Sequence, residues 1–126
     1  EKNERSDTIN LSIQGTGNET RAFIYIDDFI SGLKLVIDEG KHLEIYHIGT
    51  QDEISIKDLA QLIGGCFRRK VKVIPGKLMK GGTKRRCPDI SKLKKLGFRP
   101  KISLRVGLQA TVRWYNAFAH LQPKNE

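Results

Sequence analysis

The amino-acid sequence predicts an α/β domain of 126 residues. Apolar and polar side chains alternate over residues 23–26, and a second apolar strand pattern follows at 43–49. Between these two segments apolar side chains recur at helical spacing. Strands and helices that alternate in this way are typical of α/β folds, and the length suits one domain with a single core.

In the first half of the chain, two predicted strands frame a glycine-rich turn and a helix follows. The strands are residues 10–13 and 23–26, and the turn between them contains Gly15 and Gly17, which permit positive φ. From Asp27 onward the spacing becomes helical, and Gly40 suits the position after the helix end. The expected apolar face of this helix consists of Phe29, Ile30, Leu33, Val36 and Ile37.

The second half begins with a helix whose predicted N-cap is Ser55, with Asp58 in place of the usual Glu or Gln of a capping box. A strand at 71–74 and a basic, glycine-bearing loop at 77–87 come next. Asp89 opens a predicted short helix, and Ser103 caps the last helix, which carries an apolar stripe.

The strands at 23–26 and 43–49 flank a helix, so they form a candidate βαβ unit with parallel strands. Parallel sheets are normally covered on both faces, and the few helices of this chain do not suffice for that. The sequence therefore predicts an incomplete parallel sheet that belongs to something larger.

The positive charge of the chain is concentrated in one stretch. Residues 1–67 hold 6 Lys/Arg and 12 Asp/Glu, whereas residues 68–105 hold 15 Lys/Arg and a single acid, Asp89. Such a block attracts nucleic acid, anionic lipid or phosphorylated small molecules, and it also occurs as a merely solvated surface. With 38% hydrophobic and 29% charged residues, the composition is ordinary for a globular chain and does not favour disorder.

The sequence indicates neither a membrane protein nor a disulfide-rich secreted one. Its apolar stretches are too short to span a bilayer, and its charged N-terminus does not resemble a signal peptide. Cys66 and Cys87 are expected to be reduced thiols, which predicts a cytoplasmic protein. His42, His47 and His120 are scattered, so no metal site is predicted.

Two groups of residues invite a catalytic interpretation. Asp27 and Asp28 are either an acid or metal site or the start of a helix, in which one of them caps the helix and the other gains from the helix dipole. The helix interpretation is favoured because no further ligand recurs nearby at suitable spacing. Cys87 lies beside Arg85 and Arg86, which would lower the pKa of its thiol, yet no acid/base partner accompanies it. No catalytic residue is therefore assigned.

The motifs of NAD-dependent redox chemistry are missing from the sequence. GTGNET departs from G-x-G-x-x-G and leads into a strand instead of a helix. Y-x-x-x-K does not occur, because Phe29, Thr50 and Ala119 stand four residues after the three tyrosines.

Arg21 and the loop KLMKGGTKRR at 77–86 are better candidates for a binding site. A guanidinium group binds phosphate through two hydrogen bonds, and a basic loop with glycines can fold around two phosphates. The alternative for Arg21 is a surface ion pair with Glu19 or Asp52.

Three segments resemble successive landmarks of one family: GTGNETRAFIYIDD, YHIGTQDEISIKDLAQLI and RRCPDISKLKKLGFRPKISLRVGLQATVRWY. They are similar to the C-terminal part of the extended short-chain dehydrogenase/reductases, namely the NAD-dependent nucleotide-sugar epimerases, 4,6-dehydratases and decarboxylases. This resemblance implies a Rossmann-type fold with a small helical substrate-binding region. Residues 1–126 would be the nucleotide-sugar-binding C-terminal region, with the NAD-binding portion absent.

The resemblance also implies roles for basic residues. The family's arginine at the position of Arg21 contacts the diphosphate of the nucleotide sugar, and a second basic residue approaches from the loop before Asp89. Lys80, Arg85 and Arg86 are the candidates for that second residue, and the choice among them stays open. The parent enzyme would use NAD, whereas this chain would hold no cofactor and would not turn over substrate alone.

The partners expected on this basis are a nucleotide-diphosphate sugar and the missing N-terminal half or a partner chain. The rival interpretation is a nucleic-acid-binding module at residues 68–105, in which base-stacking aromatics are sparse because Phe67 and Phe98 alone lie in or beside it. A third is a docking domain that pairs with a missing partner. The sequence leaves open the base, the sugar, and the choice among epimerisation, dehydration and decarboxylation.

Overall fold

The computed structural model describes residues 7–121, so the charged segment at residues 1–6 lies outside the described residues. The described chain contains five short strands, four α-helices and a final 3-10 turn. Their bounds are β1 Thr8–Ser12, β2 Thr20–Ala22, α1 Ile26–Glu39, β3 Glu53–Ser55, α2 Ile56–Cys66, β4 Lys70–Ile74, β5 Arg85–Arg86, α3 Ser91–Lys95, α4 Leu104–Ala117 and the turn Ala119–Leu121.

The strands form two small sheets. In the first sheet β1 and β4 run parallel, in a register that pairs Thr8 with Lys70. The second sheet has the order β3-β2-β5, in which β2 pairs antiparallel with β3 and parallel with β5. This arrangement confirms an α/β fold with a partial parallel sheet.

The two strands of the expected βαβ unit are not formed. The second strand of the chain is Thr20–Ala22, three residues earlier than expected, and helix α1 already begins at Ile26. Residues 43–49 form no strand, although exposed Ile45 and His47 alternate there with half-buried Tyr46 and Ile48. The physical reason is that a strand requires a neighbouring backbone to pair with, and within the described residues neither segment has one.

The hydrophobic core lies between α1 and α3. Ile90, Leu93 and Phe98 are buried, with Ile48 among the half-buried side chains packed against them. Gly32 in α1 allows this approach, because a Cβ added there would lie 2.6 Å from Ile48 Cγ2 and 3.0 Å from Phe98 Cε2. The close contact between α1 and the core thus depends on the missing side chain of one residue.

Most of the apolar face predicted for α1 is exposed. Phe29, Ile30, Leu33 and Ile37 retain 37–73% of their accessible surface, while Asp28 and Gly32 are the buried residues of the helix. On α4, Trp114, Tyr115 and Phe118 are also exposed and pack on one another. Within the described residues, these apolar faces lack the cover that amphipathic helices normally have. None of the helices described is long and apolar enough to cross a bilayer.

Ser55 caps α2 as predicted. Its hydroxyl accepts a hydrogen bond from the Asp58 N–H at 3.0 Å and donates one to Asp58 Oδ2 at 2.7 Å. Ser103 likewise caps α4 through the Val106 N–H. Asp89 accepts the Ser91 N–H at 2.9 Å, one residue before the assigned N-cap of α3, and so supports the start of that helix.

The prediction that one of Asp27 and Asp28 caps α1 is wrong, whereas the favourable position of an acid near the helix N-terminus is confirmed. The N-cap of α1 is Tyr25, and no side chain caps this helix. Because the helix begins at Ile26, both aspartates already lie inside its first turn, where the helix dipole favours acids. Asp28 is 5% exposed, and its Oδ2 accepts the N–H groups of Lys101 and Ile102 at 2.9 and 2.8 Å. It therefore ties α1 to the segment that leads into α4.

Candidate functional site

The loop that precedes β2 is built around the carboxylate of Glu19. This carboxylate accepts the N–H groups of Thr16 at 3.0 Å and Gly17 at 2.8 Å, and the side chain is 6% exposed. The backbone N–H of Thr16, with those of Glu19 itself and Gly17, lowers the pKa of the Glu19 carboxyl to about 2. Gly15 and Gly17 adopt φ of 83° and 91°, and a Cβ on Gly15 would lie 2.5 Å from Glu19 Oε1.

The same loop is attached to the start of α2. The N–H of Ile56 donates to Glu19 O at 3.0 Å, and the N–H of Lys57 donates to Gly17 O at 2.9 Å. N–H groups in the first turn of a helix lack intrahelical partners, so the loop supplies acceptors that the helix needs. This attachment fixes the position of β2 and hence of Arg21.

Strand register places Arg21 and Arg86 next to each other. The two residues are direct partners in the parallel pairing of β2 with β5. Paired residues on neighbouring strands point to the same face of a sheet, and successive residues point to opposite faces. Arg21 and Arg86 therefore share one face, and Arg85 lies on the other.

The guanidinium group of Arg21 is held in place by backbone carbonyls. Nη1 donates to Thr20 O at 2.7 Å and, over a longer distance of 3.5 Å, to Lys84 O, while Nη2 donates to Thr83 O at 2.9 Å. An arginine carries five N–H donors. Among the described residues, the Nε–H and one Nη2–H of Arg21 have no protein partner, so they are available for a ligand.

Thr83 also positions the second arginine. The Nε–H of Arg86 donates to Thr83 Oγ1 at 2.8 Å, so one loop residue contacts both guanidinium groups, through its carbonyl and through its hydroxyl. Two cations held side by side repel each other, and the hydrogen bonds to Thr83 keep the two guanidinium groups together before any anion is bound.

Arg21 and Arg86 line a cavity of about 420 Å³. The other lining residues are Ile13, Gln14, Glu19, Ile56, Leu78, Met79 and Gly82. Because the carboxylate of Glu19 is bonded to the loop N–H groups, the two guanidinium groups are the charged donors that remain for a ligand. We refer to this cavity as the Arg21–Arg86 pocket.

The structure separates the three candidates for the second basic residue. Arg85 lies outside the pocket and forms an ion pair with Glu53, with Nη2 to Oε1 at 2.6 Å. The hydrogen bond between them raises the pKa of Arg85 and lowers the pKa of Glu53. Lys80 is exposed in the turn closed by the Gly82 N–H and Met79 O, beside the pocket and not in its lining. Arg86 is the candidate that shares the pocket with Arg21.

The structure gives less support to the other interpretations, namely a reactive Cys87, a surface ion pair of Arg21 and a metal site. Burial and the nearby Glu53 carboxylate raise the pKa of the Cys87 thiol, and together they outweigh the lowering effect of Arg85 that the sequence predicted. Arg21 bonds to backbone carbonyls instead of pairing with Glu19 or Asp52. Within residues 7–121, no group of three His, Cys, Asp or Glu side chains is arranged to hold a metal ion.

Sequence reasoning missed Gln14, Leu78 and the tethering role of Thr83. It also left Arg85 and Arg86 equivalent, because neighbouring residues differ in direction only once the strand and its pairing are known. The alternation of a two-residue strand carries too little pattern to show this in the sequence.

No family model matches the chain. Among curated proteins, a probable GDP-L-fucose synthase of rice (Oryza sativa subsp. japonica) is 31% identical over 110 residues, which cover 87% of this chain and 34% of the relative. A GDP-L-fucose synthase of Arabidopsis thaliana is 37% identical over 108 residues, covering 82% of this chain and 32% of the relative. The chain thus spans about a third of the length of these relatives, matching their C-terminal part.

The solved structures that are similar to this chain are also enzymes of nucleotide sugars. A UDP-glucuronic acid 4-epimerase from Bacillus cereus, solved with NAD and a fluorinated UDP-sugar, has a TM-score of 0.78 and 30% identity, covering 85% of this chain and 35% of its own. A dTDP-glucose 4,6-dehydratase from Streptomyces venezuelae, solved with NAD, has a TM-score of 0.79 and 31% identity, covering 89% of this chain and 35% of its own.

Proposed function

This chain is a homologue of the C-terminal part of the extended short-chain dehydrogenase/reductases that act as nucleotide-sugar epimerases and dehydratases, and from this premise we propose that it binds the diphosphate of a nucleotide sugar. The observation that carries the proposal is the pairing of Arg21 with Arg86 on one face of the β2–β5 pair. Both side chains line one pocket, and both are held by Thr83.

The chemistry of the pocket suits a diphosphate. Guanidinium groups form charge-assisted hydrogen bonds with phosphate oxygens, each typically about 1.5–3 kcal/mol. Arg21 offers its Nε–H and one Nη2–H, and Arg86 offers both of its Nη groups. Because the tethers already fix these donors, little side-chain entropy is lost when the ligand binds.

The glycine-bearing loop of this chain does not fit the diphosphate of NAD. The glycine-bearing loop at 15–19 leads into β2 and not into a helix, and the N–H groups of Thr16 and Gly17 are already bonded to Glu19. We therefore assign the chain a positioning role: it would orient the sugar by its diphosphate for chemistry carried out elsewhere in a full-length enzyme.

The rest of such an enzyme would also cover the exposed apolar faces. Large apolar patches on a surface mark interaction sites, and α1 exposes Ile26, Leu33 and Ile37. The matched relatives are about three times longer than the aligned region, which supports a partner of this kind. The two free cysteines fit a reducing compartment, so we place the protein in the cytoplasm.

A titration of the chain with UDP, TDP, GDP, CDP and a short single-stranded oligonucleotide, at low and near-physiological salt, tests the proposal. We expect saturable binding of one diphosphate that persists at the higher salt and thereby identifies the base. Oligonucleotide binding that collapses with salt, without preference among the diphosphates, would replace the proposal by a polyanion-binding module at residues 68–105.

A further inference from the structure

A second basic cavity lies between α2 and α4, and it shares no residue with the Arg21–Arg86 pocket. Its volume is about 560 Å³. The lining residues are Gln61, Leu62, Gly65, Cys66, Arg68, Arg105, Leu108, Gln109, Val112, Arg113 and Asn116. We refer to this cavity as the α2–α4 cleft. It joins an apolar floor to three arginines and three amide side chains.

Within the described residues, the lining of this cleft contains no acid to compensate its arginines. The ion pairs of Arg85 with Glu53 and of Lys92 with Glu44 involve none of the three cleft arginines. Arg113 donates its Nε–H to Gln109 O at 3.3 Å, inside its own helix, which leaves its other N–H groups for a ligand. The cleft therefore concentrates positive charge without an internal counter-charge.

Two of the arginines lie at the ends of the helices that flank the cleft, Arg68 just after the C-terminus of α2 and Arg105 in the first turn of α4. Arg68 has φ of 54°, a left-handed conformation that favours glycine and costs energy for a residue with a side chain. Arg105 lies in the first turn of α4, where the positive end of the helix dipole repels a cation. The helix dipole favours the charge of Arg68 at the end of α2 and disfavours that of Arg105, and an anion bound in the cleft would offset the repulsion at Arg105.

We propose that the α2–α4 cleft is a separate binding site for a small molecule that carries at least two phosphate groups. The guanidinium groups of Arg68, Arg105 and Arg113 hold the phosphates. The floor formed by Leu62, Leu108 and Val112 accommodates an apolar portion of the ligand.

Cys66 provides a local readout, because its half-buried thiol lines the cleft while Cys87 lies elsewhere. The experiment measures the rate at which iodoacetamide alkylates each cysteine, with and without inorganic pyrophosphate, by peptide mass spectrometry. We expect pyrophosphate to slow alkylation of Cys66 by roughly fivefold or more, an effect that reports occupancy of the cleft, and to leave Cys87 unchanged.

Four variants show whether protection of Cys66 depends on the cleft arginines, on the Arg21–Arg86 pocket or only on the overall positive charge. Protection of Cys66 should disappear in Arg68→Gly and Arg105→Gln, and it should persist in Arg21→Ala and in Lys95→Gln, which removes an exposed charge from α3. Arg68→Gly also relieves the positive φ, so its melting temperature should be equal to or higher than that of the parent chain. Loss of protection in this variant then reports the missing guanidinium and not unfolding.

Absence of protection by pyrophosphate in the parent chain would overturn the proposal, and so would protection that survives in both cleft variants. Protection by an oligonucleotide but not by pyrophosphate would also overturn it, in favour of a nucleic-acid surface. Protection that is lost in Arg21→Ala would show that the anion acts from the Arg21–Arg86 pocket, which would leave the proposed function intact and refute the second site.

Discussion

At Glu19, one buried carboxylate shapes the loop that leads to the candidate ligand-binding arginine. It accepts N–H groups from the backbone between two glycines of positive φ, and its own carbonyl accepts the first N–H of α2. The charge of Glu19 is thus used to hold the loop and not to contact a ligand. The conformation depends on that carboxylate being ionised.

Acid should weaken this loop in a defined range of pH. Because the pKa of Glu19 is lowered from 4.5 to about 2, its stabilising contribution is complete above pH 4.5 and is lost as the pH falls towards 2. Urea unfolding of the parent chain and of Glu19→Gln between these values measures the contribution as the difference between the two. That difference should shrink steadily as the pH falls, and a difference that is constant with pH would contradict the role assigned to the charge.

Asp28 provides a second test at the residue scale. Replacing it with Ala leaves the part-buried N–H groups of Lys101 and Ile102 without their acceptor, which we expect to cost about 1–3 kcal/mol in total. Asp27→Ala is the matched control on the same helical turn, and its exposed site predicts a change within about 0.5 kcal/mol. Equal losses of the free energy of unfolding in the two variants would argue against the link between α1 and residues 101–102.

Among the elements, α1 shows how packing overrides helix propensity. Alanine is a better helix former than glycine by about 1 kcal/mol, yet at Gly32 a Cβ would collide with Ile48 and Phe98. In α2, a Cβ on Gly65 would have nothing within 4 Å. Both glycines lie inside a helix, but a side chain at Gly32 would meet the core whereas one at Gly65 would meet no other atom within 4 Å.

We expect Gly32→Ala to destabilise the chain by about 1–3 kcal/mol, because the core must shift to admit the methyl group. Gly65→Ala should stabilise it by roughly 0.5–1 kcal/mol. Thermal or urea unfolding measures both changes. A stabilised Gly32→Ala variant would show that the core between α1 and α3 is loosely packed.

The helices were predictable from sequence, whereas three of the five strands, β2, β3 and β5, were not. Ser55 and Ser103 mark helix starts through bonds to residues three positions away, which a local pattern can show. A strand depends on a partner that is distant in sequence, so the patterns at 23–26 and 43–49 predicted strands that the structure lacks. The cap of α1 was also predicted wrongly, since the observed N-cap, Tyr25, lies two residues before Asp27 and three before Asp28.

At the scale of the whole molecule, the Arg21–Arg86 pocket joins regions that are far apart in sequence. The loop before β2, the start of α2 and the loop before β5 all contribute lining residues. Arg21 was identified from sequence by a resemblance that its local motif carries. The choice of Arg86 among Lys80, Arg85 and Arg86 required the pairing of β5 with β2, which spans more than sixty residues and leaves no local pattern.

The affinity of nucleoside diphosphate for three arginine variants, measured by isothermal titration calorimetry, tests the central claim most directly. Arg21→Ala and Arg86→Ala should each weaken binding at least tenfold, about 1.4 kcal/mol, because each removes a guanidinium group from the pocket. Arg85→Ala removes the same charge from the opposite face of the sheet and should leave the affinity within about twofold of the parent value. Unchanged affinity in Arg86→Ala, or an equal loss in Arg85→Ala, would contradict the account.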